Sequence, residues 1–312
     1  MIPAFLAATL ALAQVTAAAG GWTTGRPPEC GEGHGHAANV WERAKSPELR
    51  RYCDLVASAA SKLAGTTAMA SQALTAAEQA DAALPGRAAP RVLEGRALVA
   101  LGRLEEAAGA LRDGQSRDPR ALEDPLALLA WARVLARTGH PAEAADAYRA
   151  VLPRATTLSA AERSAAAVEA GLVAMQRGPA GLDEAVAALR EATREAQDEP
   201  AAVATLALAV ALDRRGDADE CRALLDRKNP DGLRQAGGDP RTPLSSARAK
   251  ELLAVAPAER DALVAIALEP TDAAGARDAW QAFLAAAPRG PWADWARSHL
   301  SGAHVSKKAR PR

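Results

Sequence analysis

Between Asn39 and about Leu300, apolar residues recur at helical spacing with short breaks that carry Gly or Pro, and this pattern predicts helices throughout. Ahead of it, Gly20 to Pro28 and Gly31 to His36 hold too much Gly and Pro for a regular element, so residues 20–38 read as an irregular lead-in. After it, residues 301–312 form a basic tail, ending Lys307-Lys308-Ala309-Arg310-Pro311-Arg312, that is expected to be solvated. The apolar run Ala201 to Leu212 is too short to cross a bilayer and falls inside the helical pattern.

Within the helical region one spacing returns. Gly95 is followed by Gly102 seven residues on and by Ala107 five after that; Ala132, Gly139 and Ala144 repeat it, as do Ala209, Gly216 and Cys221. In Gly171, Gly178 and Ala185 the second gap is two longer, because Pro179-Ala180-Gly181 intervenes. A small residue on one helix lets a second helix cross closely. A Gly seven later suits the positive φ wanted just past a helix end. The next small residue is then the facing contact on the second helix. Four residues beyond it stand larger groups, Leu111, Tyr148, Leu189 and Leu225, which should fill the neighbouring groove. Pro119 then ends the second helix after Asp118.

The pattern resembles the tetratricopeptide repeat, a helix-turn-helix unit with a period of about 34 residues. The likeness is clearest over Arg91 to Pro119, where Gly102-Arg103-Leu104-Glu105-Glu106-Ala107 looks like the family's turn into its second helix. Fainter copies are marked by Ala73 with Pro85 and by Ala276, Trp280 and Pro288. The implied fold is all-α, an α-solenoid of stacked helical hairpins over residues 39–300. The array is divergent: steps between Ala73, Ala107, Ala144, Ala185, Cys221 and Ala276 are 34, 37, 41, 36 and 55 residues. The last step holds a Gly- and Pro-rich stretch, 229–243, and a further apolar helix near Ser245 to Ala256, which predicts a loop and a break in stacking. The family's bulky first-helix aromatics are mostly missing, with Trp131 a candidate. Pro291-Trp292-Ala293-Asp294-Trp295 opens a closing helix whose two tryptophans either hide the last apolar face or offer a partner site.

Composition sharpens this picture. Aromatics make up 3% of a chain that is 49% hydrophobic; the apolar residues are chiefly alanine and leucine, good helix formers, while β-branched and aromatic strand formers are scarce. With 38 basic and 38 acidic side chains the net charge is zero, which argues against nucleic acid and anionic lipid as partners. Residues 1–19 read as a cleavable signal peptide: Ala4 to Ala13 is apolar and small residues follow, although only the terminal amine supplies positive charge. A buried apolar first helix is the alternative. Export would place the chain in the periplasm or outside the cell, with no transmembrane segment after signal removal, and there Cys30 and Cys53 are a candidate disulfide.

The chemistry in the sequence is sparse. Cys30 with His34 and His36 supplies metal-ligand types, but Cys-x3-His-x-His matches no common zinc module, and a solvated linker with one disulfide explains the same residues. Cys221 stands where the repeat wants a small apolar group. No nucleophile elbow, zinc-protease or phosphate-loop motif occurs, so neither an enzyme nor a cofactor is expected. Binding is the better expectation. By the resemblance, positions one and five after the first small residue face a concave groove; they are Arg96, Arg133, Arg137 and Arg214, interrupted by Ala100, Leu172, Gln176 and Val210. Guanidinium forks suit carboxylates, so an acidic or C-terminal peptide is the expected ligand of a scaffold or adaptor, against ordinary surface arginines paired with nearby Glu. A metal-handling or redox protein working through its N-terminal Cys/His segment is the alternative.

Overall fold

The computed structural model describes residues 26–30, 46–64, 67–195, 198–228 and 243–302. The signal stretch, most of the lead-in, the start of the helical pattern at Asn39, loop residues 229–242 and nearly all of the basic tail lie outside the described residues. The described residues are helical. In chain order the hairpins are α1 (Pro47–Leu63) with α2 (Ala70–Ala83), α3 (Ala88–Ala100) with α4 (Leu104–Arg117), and α5 (Pro125–Arg137) with α6 (Pro141–Val151). They continue as α7 (Ala160–Gln176) with α8 (Leu182–Glu195) and α9 (Asp198–Arg215) with α10 (Ala218–Lys228). A short α11 (Ala247–Leu253) interrupts the series before α12 (Glu259–Leu268) pairs with α13 (Ala273–Ala286), and α14 (Ala293–Leu300) closes it.

Helix starts are set by local chemistry. Asp124, Ser246 and Asp272 each accept a backbone N–H of the first turn, and Ser159 forms a reciprocal capping box with Glu162. Helix ends follow the predicted glycines. At Gly102, φ is 74°, its N–H donates to the Val99 carbonyl at 3.1 Å and the Arg103 N–H to that of Leu98 at 2.9 Å. Those two bonds satisfy carbonyls that the last turn leaves open, and only glycine takes this φ without strain. Gly139 and Gly216 repeat both bonds.

Each turn folds the second helix back onto the first, and the small residues let the pair close. A Cβ on Gly95 would sit 2.6 Å from Cγ of Leu111, and on Gly171 it would run into the side chain of Leu189. The groove-filling leucines therefore occupy the space that these two glycines vacate. Ala107, Ala132, Ala144, Ala185 and Ala209 are fully buried, and Cys221 is nearly so. First helices also stack on first helices, α3 on α5, α7 on α9 and α9 on α12, which makes the chain an α-solenoid. Its buried apolar residues form two continuous bodies that meet at α5, where Trp131 packs against both.

Gly171→Val is expected to cost about 1–3 kcal/mol in chemical denaturation, because the added methyls have only the space of Leu189 to enter. Combined with Leu189→Ala, the effects should depart from additivity by at least about 0.5 kcal/mol. Additive effects would show that the two side chains do not share one site.

Candidate functional site

Positions one and five after the small first-helix residue are four apart, so they lie on one helical face. That face carries Arg96 and Ala100 on α3, Arg133 and Arg137 on α5, Leu172 and Gln176 on α7, and Val210 and Arg214 on α9. From α5 to α9 the face is covered by the chain itself. Residues 243–259 start over α9, where Leu244 is buried, and α11 then crosses α9 and α7. At Glu251 the segment reaches α5, whose Arg137 donates from Nη2 to the Glu251 carbonyl at 3.5 Å. It returns past α7, where Gln176 donates to the Val255 carbonyl at 2.8 Å, and ends at Glu259, 2.9 Å from the Arg214 guanidinium on α9. The expected break in stacking is thus a strap across this face. Its helix is also shorter than Ser245 to Ala256, because Ser246 caps its start and the chain turns after Leu253.

The four sequence-predicted arginines meet different fates. The Arg214 side chain is fully buried, so it is not on an open surface. It pairs with Glu259 and lies between Trp292 and Trp295, whose ring centroids are 4.7 and 4.5 Å from its guanidinium carbon. Arg133 is also committed. Its Nε donates to both carboxylate oxygens of fully buried Glu169, at 3.1 and 2.9 Å, and the Tyr148 hydroxyl donates to the same carboxylate at 3.1 Å. Burial opposes the Arg133 charge, but Glu169 outweighs it and the pKa is raised. Arg137 spends one bond on the strap, and its buried Nε has no hydrogen-bond partner among the described residues.

Arg96 differs from all three. It is half-buried on α3, beyond the reach of the strap's tip on α5, and makes no ion pair with any described residue. Desolvation lowers its pKa; Asp124 and Glu162 oppose that from a distance, and neighbouring Arg133 adds to it. The guanidinium stays charged nonetheless. A desolvated cation without a contacting carboxylate is a site that an anion would stabilise.

A second cluster lies at the C-terminal end, and sequence reasoning missed most of it. His299 is buried, stacks on Trp280 at 4.5 Å, and meets Oε1 of Glu269 through Nδ1 at 2.6 Å and Oδ2 of Asp213 through Nε2 at 3.0 Å. Trp295 donates to Asp213 at 2.7 Å, Trp280 to Glu269 at 2.9 Å, and Trp292 to the Met175 carbonyl at 2.8 Å. Desolvation opposes the imidazolium, but hydrogen bonds to Asp213 and Glu269 prevail and raise its pKa to about 9. The cluster therefore closes the solenoid, pinning α14 to α7, α9 and the start of the α12–α13 turn. The available signal was aromatic density: of 6 Trp, 2 Tyr and 2 Phe in the chain, Trp280, Phe283, Trp292 and Trp295 fall within sixteen residues. The acidic partners, 30 and 86 residues from His299, carried no such mark.

Cys30 and Cys53 are joined in a disulfide that ties the middle of the lead-in to α1, and fully buried Tyr52 next to it donates to Glu29 at 2.8 Å. A bonded sulfur is not a thiolate, so neither cysteine offers a metal ligand in this state. His34 and His36 lie outside the described residues, and among the described residues no three His, Cys, Asp or Glu side chains cluster as metal ligands. Burial pushes the Cys221 thiol up to about 12, as befits a packing group rather than a nucleophile. Among the described residues no helix is long and apolar enough to cross a membrane. Between α4, α5 and α6 an open cleft of about 460 Å³ has Trp131, Leu128 and Leu135 in its wall, but Glu123, Glu143 and Asp146 also line it, and their charge repels an acidic ligand.

No family model and no curated protein matches this sequence. Solved structures do. One is the structure of Naa15/Naa10 bound to HypK-THB, 16% identical with a TM-score of 0.39, over 84% of this chain and 40% of that one. Another is the APC/C hetero-tetramer Cut9-Hcn1, 16% identical with a TM-score of 0.39, over 85% of this chain and 51% of that one. The chain thus spans about half the length of these neighbours or less.

Two buried ionic contacts yield measurable outcomes. Glu169→Gln strands the Arg133 charge and is expected to cost about 3 kcal/mol, whereas Arg133→Met with Glu169→Leu should recover at least about half of that loss. Equal losses in the single and double variants would contradict a dominant ion pair. For His299, a folded pKa above its ordinary 6.5 makes the stabilisation complete below about pH 6.5 and lost as pH rises towards 9. Unfolding free energy should therefore fall by on the order of 2–3 kcal/mol across that window, and His299→Gln should flatten the slope. An unaltered slope in the variant would assign the titration elsewhere.

Proposed function

We propose that this chain is an exported, non-catalytic scaffold that holds an acidic protein or peptide segment on the α1–α3 part of its concave face, beyond the described strap. The observation that carries this reading is Arg96, a partly desolvated guanidinium on the groove face with no contacting carboxylate among the described residues. One turn on from it, exposed Ala100 leaves room for a ligand backbone. A C-terminal carboxylate or an Asp/Glu side chain matches that fork geometry. Stacked hairpins also present one long curved surface, which suits grip rather than bond-breaking.

Export is supported by two independent features. The apolar stretch before Gly20 has the length and small-residue ending of a signal sequence. The Cys30–Cys53 disulfide belongs to an oxidising compartment, and closing its loop stabilises the fold by about 3 kcal/mol on the chain-entropy model. Protein from the native source should therefore begin near Gly20; an intact Met1 would remove the export reading.

Partner binding is tested on full-length protein. Arg96→Glu is expected to weaken capture of the co-purifying partner, and of labelled acidic peptides, at least about tenfold, with far-UV helicity unchanged. Equal binding by the variant would rule this face out.

A further inference from the structure

The strap is held in the manner of a bound peptide. Arg137, Gln176 and Arg214 occupy the same position on three successive first helices, and they contact residues 251, 255 and 259, four residues apart each time. Two of these contacts take backbone carbonyls, which any side chain at that point would leave available. Specificity comes instead from Leu252, Leu253 and Val255, all buried against the groove. Polar donors on the backbone with apolar side chains in pockets is the division of labour found in peptide recognition. A seven-residue helix is not stable alone, so α11 is helical because the groove holds it. The strap is also an insertion: it lies within the 55-residue step, where the other steps are 34 to 41.

Resting on the reading of this face as a peptide groove, we propose that residues 243–258 are its resident ligand over α5, α7 and α9. An external segment gains that stretch only by displacing them. Such a competitor has the strap's own chemistry: a short helix bearing an adjacent pair of leucine-like side chains, a third apolar group two residues on, and accessible backbone carbonyls at the residue before the pair and at that third apolar residue. The groove then has two stretches, an acidic-ligand end at Arg96 and an apolar end that the chain occupies itself.

The test uses a labelled synthetic peptide of residues 243–258 and the full-length chain. With Leu252→Ser and Leu253→Ser weakening the internal copy, the peptide should bind at least tenfold tighter than it binds the unaltered chain. Adding Gln176→Ala should reduce that binding at least fivefold. Equal, weak binding to both chains would overturn the proposal. Should the double variant lose helicity, hydrogen exchange on the unaltered chain decides: amides of 250–256 exchanging at least tenfold faster than those of mid-α7 support a releasable strap. Equal rates in the two regions would make the strap integral core and overturn it. The two readings fail separately. Peptide binding that persists when Arg96→Glu leaves acidic ligands unaffected removes only the acidic end, whereas a strap locked in exchange removes only the resident ligand.

Discussion

A helical hairpin closes tightly only where one wall of the contact has almost no side chain. Here that wall is Gly95 or Gly171 on the first helix, and Leu111 or Leu189 on the second enters the space where a Cβ would be. Elsewhere buried alanines do the same with slightly more bulk. Close axes bring first helices against first helices, and this stacking gives the solenoid a continuous inner face. The turn glycines matter through the same contact, because their left-handed backbone returns the chain at the angle the small residues require.

Once the first helices stack, Arg137, Gln176 and Arg214 fall in a row on three successive ones. What each does depends on what lies across from it. Over α5, α7 and α9 the row is spent on the strap; on α3 the corresponding position is Ala100, and Arg96 on the same face has no contacting carboxylate among the described residues. Along much of its length that face is filled by the chain's own inserted segment.

Buried ionic contacts reinforce the alanine-rich core at two places. At α5, where the two apolar bodies meet, Arg133 and Glu169 join first helices through a fully buried carboxylate. At the C-terminal end, aromatic rings surround Arg214 and His299, and their partners Glu259, Asp213 and Glu269 neutralise the charge. These pairs are costly to break singly, because each leaves the other charge stranded away from water.

Spacing along the chain determined the hairpins. Gly102, Gly139 and Gly216 end first helices, and Gly95, Ala132, Gly171 and Ala209 mark the close contacts, because both roles are local and need one residue type at one register. The same register placed Arg137, Gln176 and Arg214 on one face. It said nothing of what covers that face, since Arg137 and Glu251 are 114 residues apart and Trp292 and Met175 are 117 apart. Nor does a sequence show that Arg133 has found Glu169 while Arg96 has no such partner among the described residues. Contacts of that range follow from how the helices stack and where the inserted segment returns, and only the folded chain decides them.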